Sequence, residues 1–400
     1  MERKYWNILW AAFIVGVTAT LVQFSIPPIL PILQAKYDTT YAAGALLMAL
    51  FALTTLLTAV SGGFFVHRFG ERAIGIYGIL TLIVGVVLNF FAVHFIILLI
   101  ARIIQGIGFG LVSVAAPSAI GKFIPQEKMS VAMGIWSTWI PLGSLIMFLF
   151  APTIVSTFNI STYWVIIIII LLISVLFYGK IIPRNSERTN AEEEASTTVE
   201  KPSPLLEVKN GQIWAVALAF ASFTFALFSF NTWASTYLVE SANMSLVNAA
   251  LVPSIISFFM IGSNLYGGVL LDRFPGNVFV FVLPPLLLAL TWPLFLFDSH
   301  AVLYIAAALI GAVGGVTPTI IFASAPKLAV RPETIGIAMS IVIIGENAGI
   351  LIGPEVFGFL RDITGGFQMS IWTLFFANLV TMCASFLMWR AWRKKFTENG

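Results

Sequence analysis

Long apolar stretches recur along the chain, each close to the roughly 20 residues that cross a hydrocarbon core of about 30 Å. Six lie near 6–30, 41–65, 73–93, 95–121, 131–154 and 162–182, and six more near 212–239, 246–271, 277–297, 301–324, 334–359 and 368–392. Runs of this length read as helices, because in lipid each backbone group needs a partner inside its own segment. The breaks are short: His94 alone parts the third run from the fourth, and Asp298-Ser299-His300 parts the ninth from the tenth. The pattern predicts an all-α membrane protein with twelve transmembrane helices.

Between the sixth and seventh runs, 183–211 carries Arg184, Glu187, Arg188, Glu192-Glu193-Glu194, Lys201, Pro202 and Pro204, with almost nothing to bury. It predicts a linker joining a bundle over 1–182 to a second over 212–392, with a tail at 393–400. Within it, Leu205–Lys209 reads as a short amphipathic turn. Arg3 and Lys4 precede the first run with no small-residue cleavage site, which predicts an uncleaved first helix.

Composition agrees with the runs. The chain is 59% hydrophobic and 10% charged, against about 25% charged in soluble domains. Arg3, Lys4, Arg68, Arg72, Lys122, Lys128, the linker, Arg273, Lys327, Arg331 and Arg390-to-Lys395 fall on one side, and only Lys36 and Arg361 on the other. Basic loops stay inside, so both termini and the linker are expected to be cytoplasmic in a multi-pass protein of the cell membrane. These clusters are topogenic charges, not a nucleic-acid site. The single cysteine, Cys383, excludes an internal disulfide, and three histidines at helix ends assemble no metal site. No Gly-Lys-Ser/Thr loop or nucleophile–base pair appears, so neither an enzyme nor a cofactor is expected.

The two halves repeat. Gly63-Phe-Phe-Val-His67-Arg68-Phe-Gly70 aligns with Gly268-Val-Leu-Leu-Asp272-Arg273, Gly106 and Gly110 with Gly311 and Gly315, and Ala132-Met133 with Ala338-Met339. The offset holds at about 205–207 residues, as expected of two pseudo-symmetric six-helix bundles.

On these features the chain resembles the major facilitator superfamily over its whole length. The loop after the second helix keeps Gly63, Arg68, Gly70 and Arg72 of the family motif, with His67 in place of its aspartate; the second half keeps Asp272-Arg273. Arg102-Ile-Ile-Gln105-Gly106-Ile-Gly108-Phe-Gly110 matches the family's arginine–glycine pattern in helix four. Pro27-Pro28, Asn231-to-Leu238 and Phe359-to-Gly365 look like the cyanate and nitrate/nitrite porters. Nitrate porters carry arginines in helices two and eight, where 41–65 and 246–271 have no charge, and cyanate porters an arginine where this chain offers Gln23. The resemblance implies the major facilitator fold, a monomer, and the loop motifs (Gly63, His67, Arg68, Gly70, Arg72, Gly268, Asp272, Arg273) as a cytoplasmic latch, weakened in the first half by His67.

Glu346 is the sharpest site candidate. It lies about 12 residues from either end of its helix, roughly 18 Å, too deep to snorkel, and a carboxylate there costs about 2.5–3.5 kcal/mol. It reads either as a proton-coupling or cation-binding residue or as a neutral packing acid, with Asn347 sharing the role. Gly345, Gly349 and Gly353 recur every fourth residue on one face, where a second helix can approach. Glu355 lies about 180° round that helix, near its outer end, and reads as a solvated or interfacial acid. For Arg102 the resemblance implies a role in ordering helix-one carbonyls or in proton movement, with direct contact to an anionic substrate as the other reading. Phe230, Trp233 and Tyr237 share a face that either lines a cavity beside Asn231 or simply packs, and Gln23, Gln105 and Trp139 are further lining candidates. Together these predict a secondary transporter that moves a small organic solute by alternating access with proton coupling. Alternatives are an exporter of lipophilic cations, a facilitator of organic anions, and a non-transporting membrane sensor.

Overall fold

A computed structural model describes residues 2–125, 128, 132–133, 135–183, 205–274, 276–331 and 334–398, with all their side chains except those of 2–4, 67, 205–206, 272, 336 and 395–398. Among the described residues twelve helices are long and apolar enough to cross a membrane. They are α1 (Tyr5–Tyr37), α2 (Tyr41–Val66), α3 (Glu71–Phe90), α4 (Phe95–Phe123), α5 (Trp139–Thr157) and α6 (Ile160–Ile181), then α7 (Gly211–Ser241), α8 (Leu246–Leu271), α9 (Val278–Leu296), α10 (His300–Leu328), α11 (Ile337–Thr364) and α12 (Gln368–Lys394). The protein is an all-helical, multi-pass membrane protein.

Polar side chains start several helices where a backbone N–H would otherwise face lipid. Thr40, Asn159, Asn210, Ser245 and Asn277 each accept a hydrogen bond from a backbone N–H in the first turn of the helix that follows. Prolines bend the expected boundaries. Pro27 and Pro28 turn the end of the first run into a 3-10 segment, Pro27–Ile29, after which helix resumes over Leu30–Tyr37. The first span therefore runs past residue 30 to Tyr37. Pro293 sits likewise in the 3-10 segment Trp292–Leu296 at the end of α9. The α2–α3 reversal falls at Gly70, whose φ of 85° suits glycine.

The internal repeat is visible in the packing. A Cβ on Gly106 would strike Thr54 and the Phe51 carbonyl of α2, and one on Gly110 would lie 2.8 Å from the Thr55 carbonyl. In the second half, Gly311 presses on the Ile256 carbonyl and Gly315 on Ser263 and Asn264 of α8. Equivalent glycines thus let α4 onto α2 and α10 onto α8 at matching heights. Between the halves, α2 packs on α11 and α5 on α8. Most of the linker (184–204) lies outside the described residues. Its last part, expected as a short amphipathic turn over Leu205–Lys209, forms the short helix Leu205–Val208.

Candidate functional site

The glycine face of α11 lies on α7. Cβ atoms at Gly345 and Gly349 would strike the carbonyls of Ala217 and Ala221, and one at Gly353 would lie 2.6 Å from both the Phe225 carbonyl and the Ser229 hydroxyl. Backbones this close leave the Glu346 side chain on the flank of the contact. Its own carbonyl accepts a hydrogen bond from Thr224 Oγ1 (2.9 Å). The residue is partly exposed, and its carboxylate forms no hydrogen bond or ion pair with the described residues. Asn347 is turned back on its own helix, donating to the Ile343 carbonyl at 2.9 Å.

Glu355, expected to be solvated or interfacial, is half-buried, and its Oε1 is buried with no partner. Helix periodicity puts it two turns from Asp362, on the side of the helix that meets α2.

Arg102 is fully buried, and its five N–H groups all find acceptors. Nε donates to the Leu47 carbonyl (2.8 Å); Nη1 to the Val22 carbonyl and Gln105 Oε1 (both 3.0 Å); Nη2 to the Gln23 carbonyl (3.0 Å) and Met48 Sδ (3.1 Å). The guanidinium carbon stands 4.3 Å from the Phe51 ring centre. The first helical segment ends at Gln23, where the Gln23 carbonyl is taken by Arg102 and the Val22 carbonyl is shared between Arg102 and the Ser25 N–H and hydroxyl. It organises helix-one carbonyls and, in this arrangement, has no donor left for an anion.

The aromatic face of α7 is divided rather than shared. Phe230 packs on Trp292 and Phe295, with ring centres 5.1 and 4.5 Å away, and Tyr237 donates to the Phe295 carbonyl, so both are committed within the second half. Trp233 turns to the junction of the halves, donating to the Pro354 carbonyl (2.9 Å) beside the ring of Tyr41. Gln23 and Asn231 are buried with Oε1 and Oδ1 unpartnered, near the level where Phe24 stacks on Phe228 across the halves. In the first half Trp139 stacks between Phe109 (5.4 Å) and Trp136 (4.8 Å), and Phe109 leads on to Phe51 and Arg102.

A polar cluster absent from the expected site joins the halves at the end away from the linker. Asp362 Oδ1 and Oδ2 accept from the backbone N–H groups of Tyr41 (3.3 Å) and Ala42 (2.9 Å), at the start of α2. Glu240 accepts from Tyr41 OH at 2.6 Å and from Arg361 Nη2 at 3.3 Å. The Arg361 guanidinium lies over Tyr41 and Phe367, 4.6 and 5.0 Å from the ring centres. The sequence signal was an Arg-Asp pair at a helix end facing a threonine-capped helix start. On the α5–α8 flank a hydroxyl pair, Ser144 with Ser257, links the halves at 3.0 Å.

At the linker end, the loop motif is built around Gly70, and Lys122 pairs with Glu71 at 3.2 Å. Arg68 and Arg273 are exposed, and neither they nor Arg72 form an ion pair with the described residues; the His67 and Asp272 side chains lie outside them. Gly63 and Gly268 meet no close neighbour. Glu207, in the short linker helix, is buried and accepts from the Val330 N–H, Thr334 Oγ1 and Asn210 Nδ2, docking the linker's end on the second half. No group of three or more metal-ligating side chains occurs among the described residues.

Among proteins of known description, the chain is 25% identical over 260 residues to a hexuronate transporter of Bacillus subtilis, covering 62% of this chain and 60% of that protein. It is 24% identical to a probable sulfoacetate transporter of Cupriavidus necator, covering 61% and 59%, and 25% identical to a cyanate transport protein of Escherichia coli over 32% and 34%. The chain thus spans about 60% of the length of the first two. A crystal structure of a bacterial homolog of the human lysosomal transporter Spinster, described as inward-facing and unoccupied, superposes with a TM-score of 0.83 over 99% of both chains at 16% identity, which shows the fold. A family model described as Major Facilitator Superfamily matches residues 12–354. With twelve spans, paired glycine contacts in each half and this match, the chain belongs to the Major Facilitator Superfamily.

Proposed function

We infer that this protein is a secondary transporter of a small organic solute, coupled to protons and working by alternating access. The observation that carries the reading is Glu346: an acid well inside a span, about a third of the way from its linker end, partly exposed, with no partner among the described residues. An acid in that position serves either as a proton carrier or as a counter-charge for cargo. The fold supports the rest. Two six-helix halves that share polar contacts at Ser144–Ser257 and at the far end around Tyr41 are able to rock about a site near the bilayer midplane. The far-end cluster around Tyr41 closes that face, so the site is reached from the linker end, which the charge distribution assigns to the cytoplasm.

The test is uptake into proteoliposomes under an imposed pH gradient, comparing wild type with Glu346→Gln. Gradient-driven accumulation is expected to be lost in the variant while counterflow or facilitated exchange persists. Full gradient-driven transport by Glu346→Gln would remove the coupling role.

A further inference from the structure

The relatives' names point to hexuronate, sulfoacetate and cyanate, all anions. The charges inside this chain point the other way. Only Arg102, Glu346 and Glu355 lie well inside a span; every other charged side chain of the spans sits within about one turn of an end. Of the three, the cation is self-contained. All five Arg102 donors are held by Leu47, Val22, Gln105, Gln23 and Met48, and the Phe51 ring covers its face. Releasing Nη2 to an anion would take the donor from the Gln23 carbonyl and Met48, and releasing Nη1 would take it from Gln105, although the Val22 carbonyl would keep Ser25. At the far end, Arg361 is paired with Glu240 and lies over two rings. An anion entering the middle of this protein meets no available positive charge among the described residues.

Both acids, by contrast, lack a charged partner there. Glu346 is partly exposed and unpaired, and Glu355 Oε1 is buried without a donor. The repeat adds an aromatic component. Ala132-Met133 aligns with Ala338-Met339, which places Trp139 close to the first-half equivalent of Glu346. Residues related by the pseudo-two-fold axis stand on opposite sides of that axis at one depth. Trp139 belongs to the stack Phe109–Trp139–Trp136, and Trp136 is partly exposed. A carboxylate on one side and indole faces at the same depth on the other are suited to a large, weakly hydrated cation.

We propose that the central site binds an organic cation, with Glu346 as its counter-charge and the Trp136–Trp139 stack as its apolar wall. This deepens the transport reading and rests on it.

Tetraphenylphosphonium and tetraphenylborate have nearly the same size and shape and opposite charge, so the pair isolates the sign. Binding is measured as a thermal shift and as tryptophan quenching in nanodiscs, with empty discs as the partition control. Wild type is expected to bind the phosphonium at least about tenfold more tightly than the borate, after subtraction of the empty-disc signal. Glu346→Gln should lose that preference and Glu346→Asp, which keeps the charge, should retain it; the second variant separates loss of charge from loss of fold. A preference for the borate, for glucuronate or for sulfoacetate, or an unchanged preference in a folded Glu346→Gln, overturns the proposal. The two readings fail separately. If anions bind and their pH-driven uptake needs Glu346, cation binding is wrong and coupled transport stands. If the phosphonium binds through Glu346 but no solute crosses the membrane, the site stands and transport is wrong.

Discussion

The Asp362 carboxylate caps the first turn of α2, holding the N–H groups of Tyr41 and Ala42 from the opposite half of the molecule. The chain reaches Asp362 some 320 residues after Tyr41. The contact joins a negative side chain to the positive end of a helix dipole, worth about 0.3–1 kcal/mol at an exposed site before screening. Because the partners sit in different halves, that energy weights one arrangement of the halves over another. Asp362→Ala should move the far ends of α2 and α11 apart in a double-label distance measurement, shifting the ratio of states by about two- to fivefold. A distance distribution identical to wild type would show that the cap does not hold the halves.

Arg102→Met is expected to lower the thermal midpoint, because the Gln23 carbonyl and Gln105 Oε1 lose their donor in a buried setting, while the Val22 carbonyl keeps Ser25. Each buried acceptor left alone costs about 1–3 kcal/mol. Arg102→Lys should recover only part of this, since an ammonium has three N–H groups against five. Retained stability in Arg102→Met, read by fluorescence size-exclusion after heating, would contradict the bonding described.

Gly349→Ala should separate α7 from α11, because the new methyl group meets the Ala221 carbonyl and Thr224 Oγ1. The control is Gly262→Ala, where nothing lies within 4 Å. The first is expected to lower stability by about 1–3 kcal/mol. The second should be neutral or slightly stabilising through helix propensity. Equal melting of the two variants would refute tight packing along this face.

Ser144→Cys with Ser257→Cys should form an oxidative cross-link, since the two hydroxyl oxygens stand 3.0 Å apart. The link would pin α5 to α8 and stop alternating access, with reduction restoring transport. Cross-linked protein that transports at the wild-type rate would argue against rocking at this flank.

Much of the architecture was legible because hydrophobic run length, loop charge and glycine spacing act locally. The twelve spans follow from run length, and the α7–α11 contact from Gly345, Gly349 and Gly353 recurring at one helical period. What was not legible depends on partners that carry no sequence signature. Three of the five Arg102 acceptors are backbone carbonyls, which any residue supplies, so no pattern announces that the arginine is saturated. Phe230 and Tyr237 share a helical face with Trp233, yet the 3-10 segment at the end of α9 takes the first two and leaves the third for α2. Glu355 read as solvated or interfacial from its position near a helix end; it is half-buried, with one carboxylate oxygen left without a donor.

The seam between the halves is chemically lopsided. Along α2 and α11 it is held by charges and a helix dipole at Tyr41, Glu240, Arg361 and Asp362, and along α5 and α8 by a pair of neutral hydroxyls. Ions from the bathing solution weaken the first kind of contact and leave the second untouched. A rise in salt on the far face should therefore loosen one edge before the other, so that the molecule parts like a book held at its spine.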